Sequence, residues 1–398
     1  MSQFLRIGEK EKAYVLELLE GQFRGPSSVL MTSRLERLFA EKFHVKFALC
    51  FSNGTATMHA ALAAMNIGPG DEVVVPPLTM ASTSIAVLHA GATPVFADID
   101  PQTWTIDPQA IQRCISPRTR AILPVAIYGL PPDMDKIMRI AESNNLRVLE
   151  DDAQCFLGSI HGRVAGSIAH ASSFSFQSSK HMTSGEGGMV TTNDLDLARR
   201  IRAFASLGYA AVNPKPGGSK ISKDVIQSPD YARFESIGWN YRMPELCAAV
   251  ALAQLEKLEE LVGLRTRVAS LFAEALSGCV WLIPQHVPPG FEHSFWTYVL
   301  QLQNKSAFTW HEFRSKYIEF GGDPIYGAWR LTYLEPAFYR KKLTAEQIQN
   351  YQEGLCPVAE ALQPNLLQFK TNYYDLEIAR RKAAALKMTI EYFDRFVV

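Results

Sequence analysis

The chain has 398 residues, 47% of them hydrophobic and 20% charged, which is the balance of a globular protein with room for two domains and a large core. Forty Lys and Arg offset forty Asp and Glu, so no overall field draws the molecule to nucleic acid or to a membrane surface. Six cysteines are scattered without C-x-x-C spacing, which argues against a zinc site or a disulfide framework and fits a reducing, cytoplasmic setting.

The first 21 residues carry charge throughout and lack an apolar core, so no secretory leader is expected there. No uninterrupted apolar stretch approaches the length that spans a bilayer. Residues 9–45 place Leu16, Leu19, Leu35, Leu38 and Phe39 at helical spacing. After Ser52-Asn-Gly-Thr, a run rich in Ala and Met predicts a capped helix to residue 65. Short apolar runs at 72–75, 94–97, 121–125, 147–149, 171–176 and 188–191 then alternate with helical stretches. That alternation predicts an α/β fold, with a mostly parallel central sheet wrapped by helices. The pattern ends near residue 240. One long amphipathic helix is expected over 244–261, with Pro244 in its first turn, then a strand at 295–302 and a helical tail at 376–393. The expected division is a large domain over 1–245 and a smaller C-terminal α+β domain over 246–398. Residues 208–234, rich in Gly, Pro, Ser and Lys, read as a long loop, either a lid over a site or a surface insertion.

Chemistry concentrates at three places. Lys180 lies between the apolar run ending at Phe176 and the turn Gly185-Glu-Gly-Gly188; a lysine held in a partly dry pocket there loses its proton easily and becomes a nucleophilic amine. Asp151 and Asp152 follow the strand-like 147–149. In a parallel sheet the carboxyl ends of strands face the ligand cleft, so one of the two acids should face it while the other caps the next turn. Gln154 could hydrogen-bond a phenolic oxygen. Ser52-Asn53-Gly54-Thr55 stands at a helix start, where free N–H groups and the helix dipole suit an anion, and Ser175 could add a donor. An amine, a strand-end acid and an anion turn together match an anionic pyridine aldehyde.

The chain resembles the DegT/DnrJ/EryC1/StrS sugar aminotransferases. The resemblance rests on Ser52-Asn-Gly-Thr-Ala, Gly68-Pro-Gly-Asp-Glu-Val-Val-Val-Pro76, Gly91-Ala-Thr-Pro-Val-Phe-Ala-Asp98, Glu150-Asp-Asp-Ala-Gln154, Phe174-Ser-Phe, Lys180 with Gly185-Glu-Gly-Gly188, and Trp239-Asn-Tyr-Arg-Met243. It implies the fold type I architecture of pyridoxal 5'-phosphate (PLP)-dependent transferases. It makes Lys180 the lysine that attaches the cofactor and Asp151 the partner of the pyridine nitrogen. Gln154 is placed by the ring hydroxyl, and Gly54, Thr55 and Ser175 around the phosphate. Asn240 would reach the same phosphate from the other subunit of a homodimer. L-glutamate or glutamine is the implied amino donor. The implied acceptor is a keto-sugar, foremost a nucleotide-linked one, with a free keto-sugar or keto-cyclitol as the alternative. The family also contains dehydratases with histidine in place of the lysine; Lys180 is present here, which favours transamination. Met80 stands where the family often has an aromatic ring over the cofactor, and a thioether can cover a ring face. His170 replaces a common aspartate, and Gln177-Ser-Ser a common Tyr-Pro-Thr.

Overall fold

The computed structural model describes residues 5–23, 30–209, 223–303, 308–339 and 351–396. A seven-stranded sheet runs through it: β1 (Phe47–Phe51), β2 (Glu72–Val75), β3 (Thr93–Phe96), β4 (Thr119–Ile122), β5 (Arg147–Asp151), β6 (Ala171–Ser175) and β7 (Gly188–Thr192). Their order across the sheet is β1-β7-β6-β5-β4-β2-β3. The pairs from β6 to β3 are parallel, while β7 runs antiparallel to both its neighbours. A parallel return from β6 would need a long crossover, usually a helix. Residues 176–187, the Lys180 loop, contain none, and the chain turns straight back.

Strands β1, β2, β6 and β7 are buried along their whole length, which is why they read as continuous runs without alternation. On one face lie the helices Glu9–Glu20, Met31–Lys42 and Glu245–Glu256, packed with Phe39, Phe43, Phe156, Phe174 and Phe176. The opposite face is filled around Leu62, Val73, Leu149 and Ile201, and Tyr333, Phe338, Tyr351 and Leu362 from late in the chain join that core. A second, antiparallel sheet pairs Leu282–Pro284 with Thr297–Leu302, then Leu366–Lys370, then Tyr326–Gly327. The helices Leu258–Ala275, Trp310–Glu319 and Leu376–Phe393 cover it, as expected for an α+β unit.

Four local expectations change. The helical stretch 9–45 is two helices, separated where Gln22 and Phe23 take positive φ; residues 24–29 lie outside the described set. The single helix over 244–261 is instead two, broken at Lys257, whose φ of −116° and ψ of 21° leave the helical region. Pro244 is the residue before the first turn of Glu245–Glu256, and that helix is buried nearly all round because helices cover it on one side and the sheet on the other. The strand expected at 295 begins at Thr297, since Phe295 has a φ of 50°. Of the long loop 208–234, residues 210–222 lie outside the described set; the remainder holds the short helix Lys223–Gln227 and a bridge between Tyr209 and Phe234. No helix among the described residues is long and apolar enough to cross a membrane, and among them no cluster of His, Cys, Asp and Glu could hold a metal.

Candidate active site

Strands β1, β5 and β6 run the same way, so the start of the helix Gly54–Ala64, Asp151 and Ser175 all arrive at one edge of the sheet. A cavity of about 400 Å³ opens there, and it is lined by Gly54, Thr55, Met80, Asp151, Gln154, Ser175 and Lys180. Seven of the eight residues that the resemblance places at the cofactor therefore share one pocket. The eighth, Asn240, is exposed and lies outside it, with its backbone bridged to Ser206.

The helix start is built for an anion. Asn53 caps it by accepting from Ala56 N–H, which leaves the N–H groups of Gly54 and Thr55 in the first turn without an intrahelical acceptor. A Cβ at position 54 would stand 2.8 Å from the Ser175 Cβ, so only glycine lets this turn close on β6. At Gly188 a Cβ would meet the Asn53 backbone at 2.8 Å, so glycine there brings β7 against the same turn.

Side-chain alternation along β5 decides between the two acids. Asp151 faces the cavity, whereas Glu150 and Asp152 share the opposite, fully buried face. Burial pushes Asp152 well above the usual carboxylate range and Glu150 up to about 7; the charges of Glu150 and Asp151 add to the rise at Asp152, and that of Asp151 to the rise at Glu150. Asp151 itself makes the local turn, accepting Ala153 N–H at 3.1 Å, so the expected division of labour between the acids does not occur. Its other oxygen accepts Thr83 Oγ1–H at 2.9 Å, and Thr83 is linked to Thr79 at 3.1 Å. Burial raises the Asp151 pKa, while these hydrogen bonds and Lys180 work to keep it ionised.

Lys180 is lowered from 10.5 to about 8, first by burial and then by the charge of Arg265; Asp151 and Glu186 act the other way. Its Nζ stands 4.6 Å from the centroid of the Trp296 ring. Gln154 accepts Tyr128 N–H at 2.8 Å through Oε1. A backbone N–H can only donate, so the amide orientation is settled and the NH₂ group is left for a ligand acceptor. His181, next to the lysine, is turned away: its Nε2 faces Ser294 O at 2.8 Å and its ring packs on Phe156. The altered His170 accepts Val148 N–H at 3.0 Å and lies outside the cavity, whereas Gln177 and Ser179 line it.

The residues fit PLP. The helix start and Ser175 suit a phosphate, Asp151 a protonated ring nitrogen, the free Gln154 amide a phenolate, and Lys180 an aldehyde.

Thr83 and Glu186 were not legible as site residues from motif spacing; of the aromatic residues that the sequence offers for substrate contact, Trp296, Tyr326 and Trp329, the two tryptophans line the cavity and Tyr326 does not. Thr83 belongs to an unremarkable Ser/Thr-rich helix start, and only the fold sets it against Asp151. Replacing Thr83 with Val keeps the shape and removes the donor. Turnover is expected to fall about tenfold, the scale of one hydrogen bond to a charged group, and stability by about 1–3 kcal/mol, because a buried carboxylate loses a donor; kcat and a urea denaturation curve check both.

Comparison with known proteins places the chain in a family. GDP-perosamine synthase of Caulobacter vibrioides is 37% identical over 299 residues, spanning 75% of this chain and 76% of its own. UDP-N-acetyl-3-dehydro-alpha-D-glucosamine 3-aminotransferase of Acidithiobacillus ferrooxidans is 35% identical over 317 residues, spanning 79% and 76%. The crystal structure of an aminotransferase from Psychrobacter cryohalolentis superposes with a TM-score of 0.85 at 29% identity, covering 98% of both chains. Residues 5–372 match the DegT/DnrJ/EryC1/StrS aminotransferase family, and the chain belongs to it.

Proposed function

We propose that this aminotransferase moves an amino group from L-glutamate, or glutamine, to the ketone of a nucleotide-linked keto-sugar, with PLP attached at Lys180. The observation that carries the reading is the meeting of a deprotonation-prone lysine, Asp151 and the Gly54–Thr55 helix start in one cavity. Bound there, PLP would supply an aldehyde for amine attachment and a ring that withdraws electrons. Lys180 Nζ would hold the group, and, once displaced by the donor amine, would carry the proton to and from the substrate carbon. Asp151 would keep a proton on the ring nitrogen. Gln154 would orient the ring through its NH₂ group, and Gly54, Thr55 and Ser175 would bind the phosphate. Met80 would cover one ring face with its thioether.

Asn240 would serve the partner's phosphate in a homodimer. Its surroundings favour a covered surface, because Phe234, Ile237 and Trp239 are 54%, 94% and 55% exposed in the single chain. The names of the two relatives support a nucleotide-linked acceptor. The turning away of His181 speaks against the dehydratase alternative, in which a histidine works in place of the lysine.

Loaded protein given L-glutamate should release 2-oxoglutarate as the cofactor absorbance moves from its aldehyde form to its amine form. A nucleotide-linked keto-sugar should then restore the first spectrum and gain an amine. No spectral change with glutamate, glutamine or other common amino acids would end the aminotransferase reading; restoration only by a free keto-sugar or keto-cyclitol would end the nucleotide-linked one.

A further inference from the structure

The segment that carries Lys180 is gripped by two guanidinium groups, neither of which lines the cavity. Arg265, on the helix Leu258–Ala275, is 2% exposed. Its Nη2 donates to Ser179 O at 2.9 Å and to Lys180 O at 3.0 Å, and its Nη1 to Trp296 O at 2.6 Å and Thr371 Oγ1 at 3.1 Å. Arg6 arrives from the opposite end of the chain and donates to Ser178 O and to Lys180 O, both at 2.6 Å. Its own carbonyl is tied to Gln254 Nε2 at 2.5 Å. The indole N–H of Trp296 closes the arrangement on Ser179 O at 3.0 Å. Three consecutive carbonyls, at 178, 179 and 180, are thereby fixed, and so is the aromatic wall over the lysine amine.

The acceptors are unusual for a buried arginine. Such a group ordinarily takes a carboxylate, whose charge offsets the cost of leaving water. Among the described residues no carboxylate lies within ion-pair distance of Arg265, and all four of its acceptors are neutral oxygens. Its charge is therefore left standing in a dry region next to the lysine. If packing alone were required, an apolar side chain of similar volume would serve at less cost.

We propose that Arg265 and Arg6 are positioning residues for Lys180: a two-guanidinium clamp that fixes the main chain of residues 178–180 and the Trp296 wall. The charge of Arg265, buried beside the lysine, also disfavours a second cation at its amine. The proposal rests on the reading of Lys180 as the attachment residue. The other groups facing the amine are Asp151 and Glu186, which favour its charged form. Around the clamp stand Tyr374 and the two histidines His181 and His293, both of which burial keeps neutral.

The test uses protein freed of cofactor, competitively acetylated across a pH series, with the label at Lys180 read by peptide mass spectrometry. Wild-type Lys180 should titrate near about 8. In Arg265→Met the midpoint should rise by about one pH unit, a tenfold loss of free amine at neutral pH. Arg265→Lys keeps the charge without the fork, so the midpoint should stay near that of the wild type while hydrogen exchange across 177–181 quickens. Arg6→Gln should also quicken that exchange, and it carries the test with Arg265→Lys should Arg265→Met fail to fold. An unmoved midpoint in Arg265→Met, or unchanged exchange in both other variants, overturns the clamp. Borohydride treatment of loaded wild-type protein keeps the two readings apart. If no phosphopyridoxyl group becomes fixed at Lys180, the attachment reading fails; if it becomes fixed while the clamp variants behave as wild type, the clamp alone fails.

Discussion

Replacing Lys180 with alanine should lower turnover by about 10⁴-fold or more, because one side chain would lose two jobs together. The first is attachment: without Nζ, borohydride should no longer fix the cofactor to the protein. The second is proton transfer at the substrate carbon, for which no other cavity group is placed as well. Glu186 lines the pocket, but as a carboxylate on the glycine turn it would have to take over a role set by the lysine's position over Trp296. Cofactor should still bind to the variant without a covalent bond, since Gly54, Thr55, Ser175, Gln154 and Asp151 are untouched. The measurement is a single-turnover reaction with L-glutamate, followed by fluorescence titration of the cofactor. Turnover within a factor of ten of the wild type would remove Lys180 from the mechanism. A small added amine such as methylamine should restore part of the rate, because the vacated volume lies where the lysine amine acted.

The sequence made the large sheet and its cavity legible because strands buried on both faces write themselves as short apolar runs, and because Gly54 and Asp151 lie directly at element ends, with Lys180 in the short loop between β6 and β7. Local chemistry and position coincide at those residues. It was silent where function depends on a side chain meeting another far along the chain. Thr83 reaches Asp151 across 68 positions, and Arg6 reaches Lys180 across 174. Neither carries a spacing signal. The break at Lys257 was missed because the apolar pattern continues through it: Leu258 and Leu261, beyond the break, still join the core of the large sheet, and the helix reaches the core of the small sheet only from Val268. Asp151 and Asp152 could not be ranked by composition, being neighbours of one type. The two-residue period of β5 ranks them once the strand's register is known.

Asp151→Asn gives the sharpest separation of charge from shape. The asparagine oxygen can keep Ala153 N–H, and its NH₂ can face Thr83, whose hydroxyl turns from donor to acceptor while still reaching Thr79. The fold should therefore hold, with stability changed by no more than about 1 kcal/mol. Turnover should nevertheless fall about 10³-fold, because a neutral amide cannot hold a proton on the ring nitrogen and the electrons released at the substrate carbon lose their sink. A second effect runs the other way. Asp151 is one of the charges that raises the Lys180 pKa, so without it the amine should titrate below about 8 and label faster at neutral pH. The variant would thus combine a more available lysine with a much slower reaction. If it instead gained rate along with lysine reactivity, the ring-nitrogen role of Asp151 would be wrong, and amine availability would be the limiting term. A cofactor analogue methylated at the ring nitrogen carries its positive charge permanently. It should recover much of the lost rate in Asp151→Asn and little in Lys180→Ala, which assigns the two residues to different steps at different atoms.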